Sequence, residues 1–379
     1  MTERHFDIAI MGGGLAGLSL AIQLQRKGHR VILFEKHGYP FHRVCGEYIS
    51  MESFAFLRSL GVDPSNLAAS RISKLEVTTT NGNILKQSLT PGGIGISRFV
   101  LDHELATIAK NEGVVLFENT TVHSADFDGN QFLIQTSSGD FTSKAAAGCF
   151  GKKSKLDLHW KRAFADPARE KRGNYVGIKY HMRSATIPPD TIYLHHFPGG
   201  YCGIVKVEAD RYCLCYLTTA QNLSDSGNSV SEMEKNILSF NPVLREVFEK
   251  AELVNPEPLV ISQISFAQKS LIEDHVLMIG DAAGMITPLC GNGMSMALHA
   301  SKMAAELFDL FLSGKISREV LEKQYSAKWR AEFSRRLWVG RKVQGIFGKP
   351  GLLSGLIRTG NFFPAITKRI VRQTHGRSF

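Results

Sequence analysis

Gly12, Gly14 and Gly17 form the pattern G-x-G-x-x-G inside "FDIAIMGGGLAGLSL". At that spacing the first glycine permits a tight turn, the second lets a pyrophosphate approach the backbone, and the third lets a helix pack closely on a strand. Leu15 and Ala16 then open a helix whose N-terminal N–H groups and dipole attract phosphate. Glu35 ends the next apolar run, 18 residues after Gly17, with Lys36 following it. A carboxylate there accepts hydrogen bonds from a ribose diol. The chemistry implied is the binding of a dinucleotide.

A second glycine turn occurs late in the chain, in "VLMIGDAAGMITPLCGNGMS" (276–295), where Asp281 ends an apolar strand. An NAD site needs only the first unit. A flavin adenine dinucleotide carries a ribityl chain beyond its pyrophosphate, and a carboxylate at a second strand end can bind the ribityl hydroxyls. Gly280 and Gly284 allow close backbone approach, and a helix from about 292 aims its N-terminus at the flavin ring. Positive dipole there stabilises the negative charge of a reduced flavin. A plain NAD dehydrogenase is therefore disfavoured.

These turns need strands and helices to position them. Residues 6–11, 15–27 and 30–35 read as strand, helix and strand. Residues 71–97 read as a hairpin turning at "NG", and "RFVLDHELATIAKNEGVVLFENTTV" as a helix then a strand. Residues 175–265 read as mostly β, broken by one helix near 230–240, before the buried strand at 275–280 and a long helix at 292–312. The expected architecture is α/β: a Rossmann-like FAD-binding domain with a parallel sheet, of glutathione reductase type, carrying an inserted β-rich substrate domain and a C-terminal helical segment. The FAD-binding domain comprises 1–70, 97–160 and 270–312; the substrate domain comprises 71–96 and 161–269; residues 313–379 form a basic helical region.

The chain of 379 residues is 43% hydrophobic, enough for a sizeable core. It has no apolar run of about 18 residues to cross a membrane, and "FDIAIMGGG" runs straight into a turn rather than into a signal-peptide pattern. A cytoplasmic enzyme is the simplest expectation. The six cysteines (45, 149, 202, 213, 215, 290) show no metal-ligand spacing, so no metal is expected. Charge is uneven: residues 313–379 hold 15 Lys and Arg against 3 Glu, which is +12, while the remainder, 30 against 32, is −2. The helix-spaced "LEKQYSAKWRAEFSRRLWVGRKVQGIFG" and the apolar-basic "PGLLSGLIRTGNFFPAITKRIVRQT" suit either a solvated helix face or peripheral contact with a membrane. No nucleic-acid recognition motif accompanies the charge. The oligomeric state is not readable.

The paired turns resemble the flavoprotein family that includes para-hydroxybenzoate hydroxylase, flavin-dependent halogenases and geranylgeranyl reductases, over roughly residues 1–312. The resemblance implies that Pro288, Gly291 and Gly293, with Asn292 and Met294, line the isoalloxazine, and that Arg98 contacts the dinucleotide. "PFHRVCGEYIS" resembles the Cys-Gly segment of the geranylgeranyl reductases, which implies Arg43, Cys45 and Gly46 near the flavin; simple packing of Cys45 is the alternative. Ala147-Gly148 stands where the family often has Asp-Gly, which leaves FAD expected but weakens the case for NADPH or NADH as electron donor.

Three reactions fit one such cofactor frame. The halogenase reading is the weakest, because Trp160, Trp329 and Trp338 do not form the family's W-x-W-x-I-P motif. The leading expectation is a monooxygenase working through a flavin C4a-hydroperoxide on an aromatic, polyene or lipid-like substrate. The alternatives are an alkene reductase and a flavin-binding protein without turnover. The partner expected is a hydrophobic small molecule. "YLHHFPGGYCGIVKV" is expected to wall its pocket, with His195 and His196 on opposite faces of a strand so that at most one reaches it. Cys45, His195 and His196 are the candidate catalytic residues; packing or hydrogen-bonded core roles compete for each.

Overall fold

Apolar runs too hydrophobic to face water on either side build the first sheet. Five strands in it run parallel, in the order Val276–Met278, Gly139–Gly148, His5–Met11, Val31–Phe34 and Val115–Phe117. The register sets Met278 beside Gly148, Gly148 beside Met11, and Met11 beside Phe34. Four carboxyl ends thus share one edge, where dinucleotides bind in open parallel sheets. Antiparallel additions are Ile272–Glu273 at one edge and a meander, Val122–Phe127 and Phe132–Thr136, leading into Gly139–Gly148. The structure, a computed structural model, describes residues 4–165, 175–287, 289, 291–347, 353–355, 357 and 376–379.

Helices Leu15–Arg26 and Gly293–Leu312 pack together on this sheet. Small residues let them approach: Ser19 and Ser301 share a buried hydroxyl–hydroxyl bond of 2.6 Å. The fold is the expected α/β type, with a parallel Rossmann-like sheet, a β-rich partner and C-terminal helices.

The second sheet has nine strands. Its hairpin, Ser70–Thr78 with Ile84–Gly95, turns through Asn81-Gly82, and Gly82 takes φ +73°. Period-two alternation divides the sheet's residues between its faces. Ile178, Tyr193, Cys202, Leu214 and Tyr216 pack on Met233, Leu238 and Leu244. Val77, Leu194, Tyr201, Leu217 and Ile264 turn the other way, onto Leu289 and Met285 beyond the second glycine turn. The single helix expected near 230–240 is instead three, Ala220–Asp225, Val230–Asn236 and Pro242–Lys250. Thr219, Ser229 and Asn241 each cap one of them with a side-chain oxygen, and each such cap starts a new helix.

The basic helix, Arg318–Phe347, spends its apolar stripe on the first core. Leu321, Tyr325, Trp329, Phe333 and Leu337 recur every fourth residue and are buried, and the Tyr325 hydroxyl donates to the Met278 carbonyl at 2.6 Å. Of the expected interfacial segment at 350–374, all but 353–355 and 357 lie outside the described residues. Among the described residues, no helix is long and apolar enough to cross a membrane.

Candidate functional site

The two glycine turns meet. Gly12 takes φ +111°, and a Cβ there would lie 2.6 Å from the Cys149 carbonyl oxygen. Gly280 takes φ +66°, and a Cβ there would lie 3.2 Å from the Cβ of Ala16, at the start of the first helix. A side chain at either position would therefore collide or force a left-handed backbone that disfavours it. Leu15, Ala16 and Gly17 are buried in the helix behind the turn. Gly14 caps this helix without a side-chain hydrogen bond, and its first turn holds no acidic residue. The first helix N–H groups and the positive end of the dipole thus meet no side-chain cap.

Glu35 is buried beside the first turn. Its carboxylate accepts from the Gly13 N–H at 2.9 Å, the His37 N–H at 3.1 Å and the Arg43 guanidinium at 2.9 Å. Arg43 also bonds Asp102 at 3.1 Å, and Asp102 holds Arg98 through two bonds of 2.7 Å. Arg98 sits over the turn, because a Cβ on Gly14 would be 3.4 Å from its Nη2. The Tyr39 hydroxyl donates to the Gly13 carbonyl. Lys36 is exposed at the rim.

At the second turn, Lys269 donates to the carbonyls of Asp281 at 2.8 Å and Lys152 at 2.6 Å. Arg162, paired with Asp157 at 2.7 Å in the interior, donates to the Ala282 carbonyl at 3.0 Å. Two cations thereby fix the backbone at Asp281 and just after it. Burial pushes the Asp281 carboxyl up, against the pull of Lys269 and Arg98. Among the described residues its carboxylate has no hydrogen-bond partner, so donors from a ligand would relieve that burial. It borders a small cavity with Gly284, Gly293 and Trp329. Burial, with Lys152 close by, brings Lys269 down to about 8; burial, then Lys153 and Lys36, does the same to Lys152.

A third group, which sequence reasoning missed, holds the Cys-Gly segment. Glu47 takes φ +54° and is completely buried. Its carboxylate accepts from Lys179, from His181 Nε2 at 2.7 Å and from the Arg98 N–H at 2.8 Å. Lys179 also donates to the Arg43 carbonyl at 3.1 Å, and the Cys213 thiol to the Cys45 carbonyl at 3.3 Å. Burial would raise the Glu47 carboxyl, but the Lys179 ammonium and His181 hold it at about 2. Lys179 and His181 belong to the second sheet and Arg98 to a helix on the first, so one carboxylate ties the two together. Glu47, His181 and Cys213 lie close enough for a metal, but the Lys179 ammonium already occupies the cation's place. The signal available in the sequence was "IKYHM", two ionisable residues on one face of an apolar strand.

The other expected residues are placed as follows. Cys45 is half-buried, its thiol pushed up by burial and within hydrogen-bonding reach of Arg98; Gly46 is exposed. Gly291 takes φ +66° against the Tyr48 ring, Asn292 and Met294 are buried, and Gly293 begins the long helix. Pro288 and Cys290 lie outside the described residues. His195 stacks on Tyr193, bonds Thr78 at 2.8 Å, and burial lowers it to about 3, so it is a neutral core histidine on the helix-covered face. That removes it as an acid–base candidate. His196 is on the opposite face, with Leu194, and is fully buried. Ala147 lies inside the sheet between Ile10 and Leu277.

A parallel sheet with two touching glycine turns, each beside a carboxylate, is the frame of a dinucleotide-binding flavoprotein. Residues 5–337 match the FAD binding domain family, and the chain belongs to it. Conditioned medium factor receptor 1 of Dictyostelium discoideum is 26% identical over 364 residues, covering 87% of this chain and 68% of that one. A digeranylgeranylglycerophospholipid reductase of Methanococcus vannielii is 23% identical over 367 residues, covering 92% and 88%. The flavin-dependent brominase Bmp2 has the same fold, with a TM-score of 0.80 at 18% identity over 98% of this chain and 93% of that one. The chain is an FAD-binding member of an oxidoreductase superfamily.

Proposed function

We propose that this flavoprotein saturates a carbon–carbon double bond in an elongated apolar substrate. The observation that carries the reading is the apolar layer of Val77, Leu194, Tyr201, Leu217 and Ile264, which packs on Leu289, Leu353 and Ile357 beside the loop that follows Asp281. An apolar layer of that kind beside the second glycine turn would suit a lipid-like chain, offering it burial and few polar partners. Alkene reduction is favoured over oxygen insertion, the leading expectation from the sequence, by the near-full-length relationship to a reductase of isoprenoid lipids. The Cys-Gly segment points the same way.

FAD bound at the two turns would supply, once reduced, the hydride for one alkene carbon, and the protonated Cys45 Sγ the proton for the other. The protein's part is to bind, orient and exclude water. The first helix N-terminus and Arg98 would hold its pyrophosphate, Glu35 its ribose, and Asp281 its ribityl hydroxyls. Burial keeps a proton on Cys45 Sγ at neutral pH. The apolar sheet face keeps bulk water from the reacting carbons.

The test is to reduce the FAD-loaded protein with light under argon and add a polyprenyl lipid, then repeat in air. A product heavier by two hydrogens for each double bond, formed without oxygen, supports the proposal. A product heavier by one oxygen, formed only in air, refutes it in favour of a monooxygenase.

A further inference from the structure

The helix Arg318–Phe347 buries one side in the first core, and its other side carries a charge pattern that core packing does not explain. At 100° per residue, Arg330, Arg335, Arg341 and Lys342 fall within an arc of roughly 140°, with Trp338 near its centre. All five are exposed, Trp338 by 56%. From Arg330 onward the other exposed residues in that arc, Ala331, Ser334 and Gly345, are small. The single acidic residue of this half, Glu332, lies outside the arc and is tied to the buried Arg336. Lys342 rests its ammonium over the Trp338 ring, 5.6 Å from the centroid. Val343, next in the chain, turns inward to the apolar cluster of Val77, Tyr201 and Leu289. The basic face therefore adjoins the apolar surface of the second sheet.

We propose that this face docks the protein on an anionic lipid bilayer. Four cations without a carboxylate among them complement anionic headgroups. A half-exposed indole in their middle suits the headgroup layer, where an apolar ring with a polar N–H is favoured. A duplex nucleic acid would use the cations but gives the central tryptophan no comparable role. Docking in this orientation brings the edge of this apolar cluster to the bilayer, where a lipid-like substrate resides. The surface itself is independent of which reaction the flavin performs.

The test uses the purified full chain, sedimented with vesicles of phosphatidylcholine alone or mixed with phosphatidylglycerol. Binding to the mixed vesicles, weak binding to the neutral ones, and release by high salt are expected. Each cation contributes about five-fold at an anionic surface, so the double variant R341E/K342E loses at least roughly twenty-five-fold. W338A weakens binding and removes a quenching signal from brominated lipid. Unchanged FAD content and melting temperature show that the variants are folded. Equal binding to neutral and anionic vesicles, no binding to either, or no effect of R341E/K342E overturns the proposal. So does tighter binding to duplex DNA than to anionic vesicles at equal salt.

Discussion

Replacing Glu47 with Gln removes a charge while keeping the shape. The amide still offers an oxygen to one donor, but the Lys179 ammonium, 1% exposed, loses its counter-charge. Removing one partner of a buried pair costs about 3–5 kcal/mol. The carboxyl itself gives a second figure. It lies at about 2 against a reference of 4.5, which corresponds to about 3 kcal/mol of stabilisation when ionised. Since the folded value is depressed, that stabilisation is fully present above pH 4.5 and is lost as pH falls toward 2. Urea unfolding followed by circular dichroism and by flavin fluorescence should show E47Q less stable by about 3–5 kcal/mol at pH 7. The difference should shrink as pH drops below 4.5. The double variant E47Q/K179M should recover part of the loss, because no ammonium is then stranded. A loss within about 1 kcal/mol at pH 7, or one that does not change with acid, would refute the claim that Glu47 joins the two sheets through charge.

Asp281→Ala should weaken FAD by about ten- to a hundred-fold, the worth of a hydrogen bond or two to a charged acceptor; titration of the apoprotein with FAD measures this, and a variant that purifies fully yellow contradicts the assignment. Gly12→Ala should yield protein without flavin, since its Cβ has no room beside Cys149; absorbance near 450 nm checks it. Lys269 and Lys152 both titrate at about 8, so FAD affinity should fall as pH rises through that value and these positive charges are lost. Lys269→Met should flatten part of this profile in the same titration, and an unchanged profile would assign the dependence elsewhere.

The two meeting turns of the candidate site were legible where their requirements are local. Gly12, Gly14, Gly17 and Glu35 lie within one strand–helix–strand unit, and the backbone demands of that turn leave few other residues possible. Asp281 was legible because a carboxylate ending a buried strand has little structural reason to be there. Glu47 was not, because its partners Lys179 and His181 are 132 and 134 positions away and only the pairing of the second sheet brings them together. Arg162 and Lys269 escaped for the same reason: each acts on a backbone carbonyl, and a carbonyl leaves no mark on residue type. The histidine pair shows the limit of alternation, which places His195 and His196 on opposite faces but cannot say which face a helix will cover. Likewise the heptad-like stripe at 321–337 announced an amphipathic helix without naming its partner, the first core.

The order of strands in the first sheet bears on how the protein is made. Gly139–Gly148 has His5–Met11 on one side and Val276–Met278 on the other, so during synthesis its second edge waits unpaired for more than a hundred residues, through six of the nine strands of the second sheet. N-terminal segments emerge first and begin to fold before the rest exists. The nucleotide half of the site can form early, but Asp281 arrives only with the last parallel strand. Cofactor capture is then a late event in biosynthesis, and a ribosome-stalled chain ending before residue 276 should emerge without flavin.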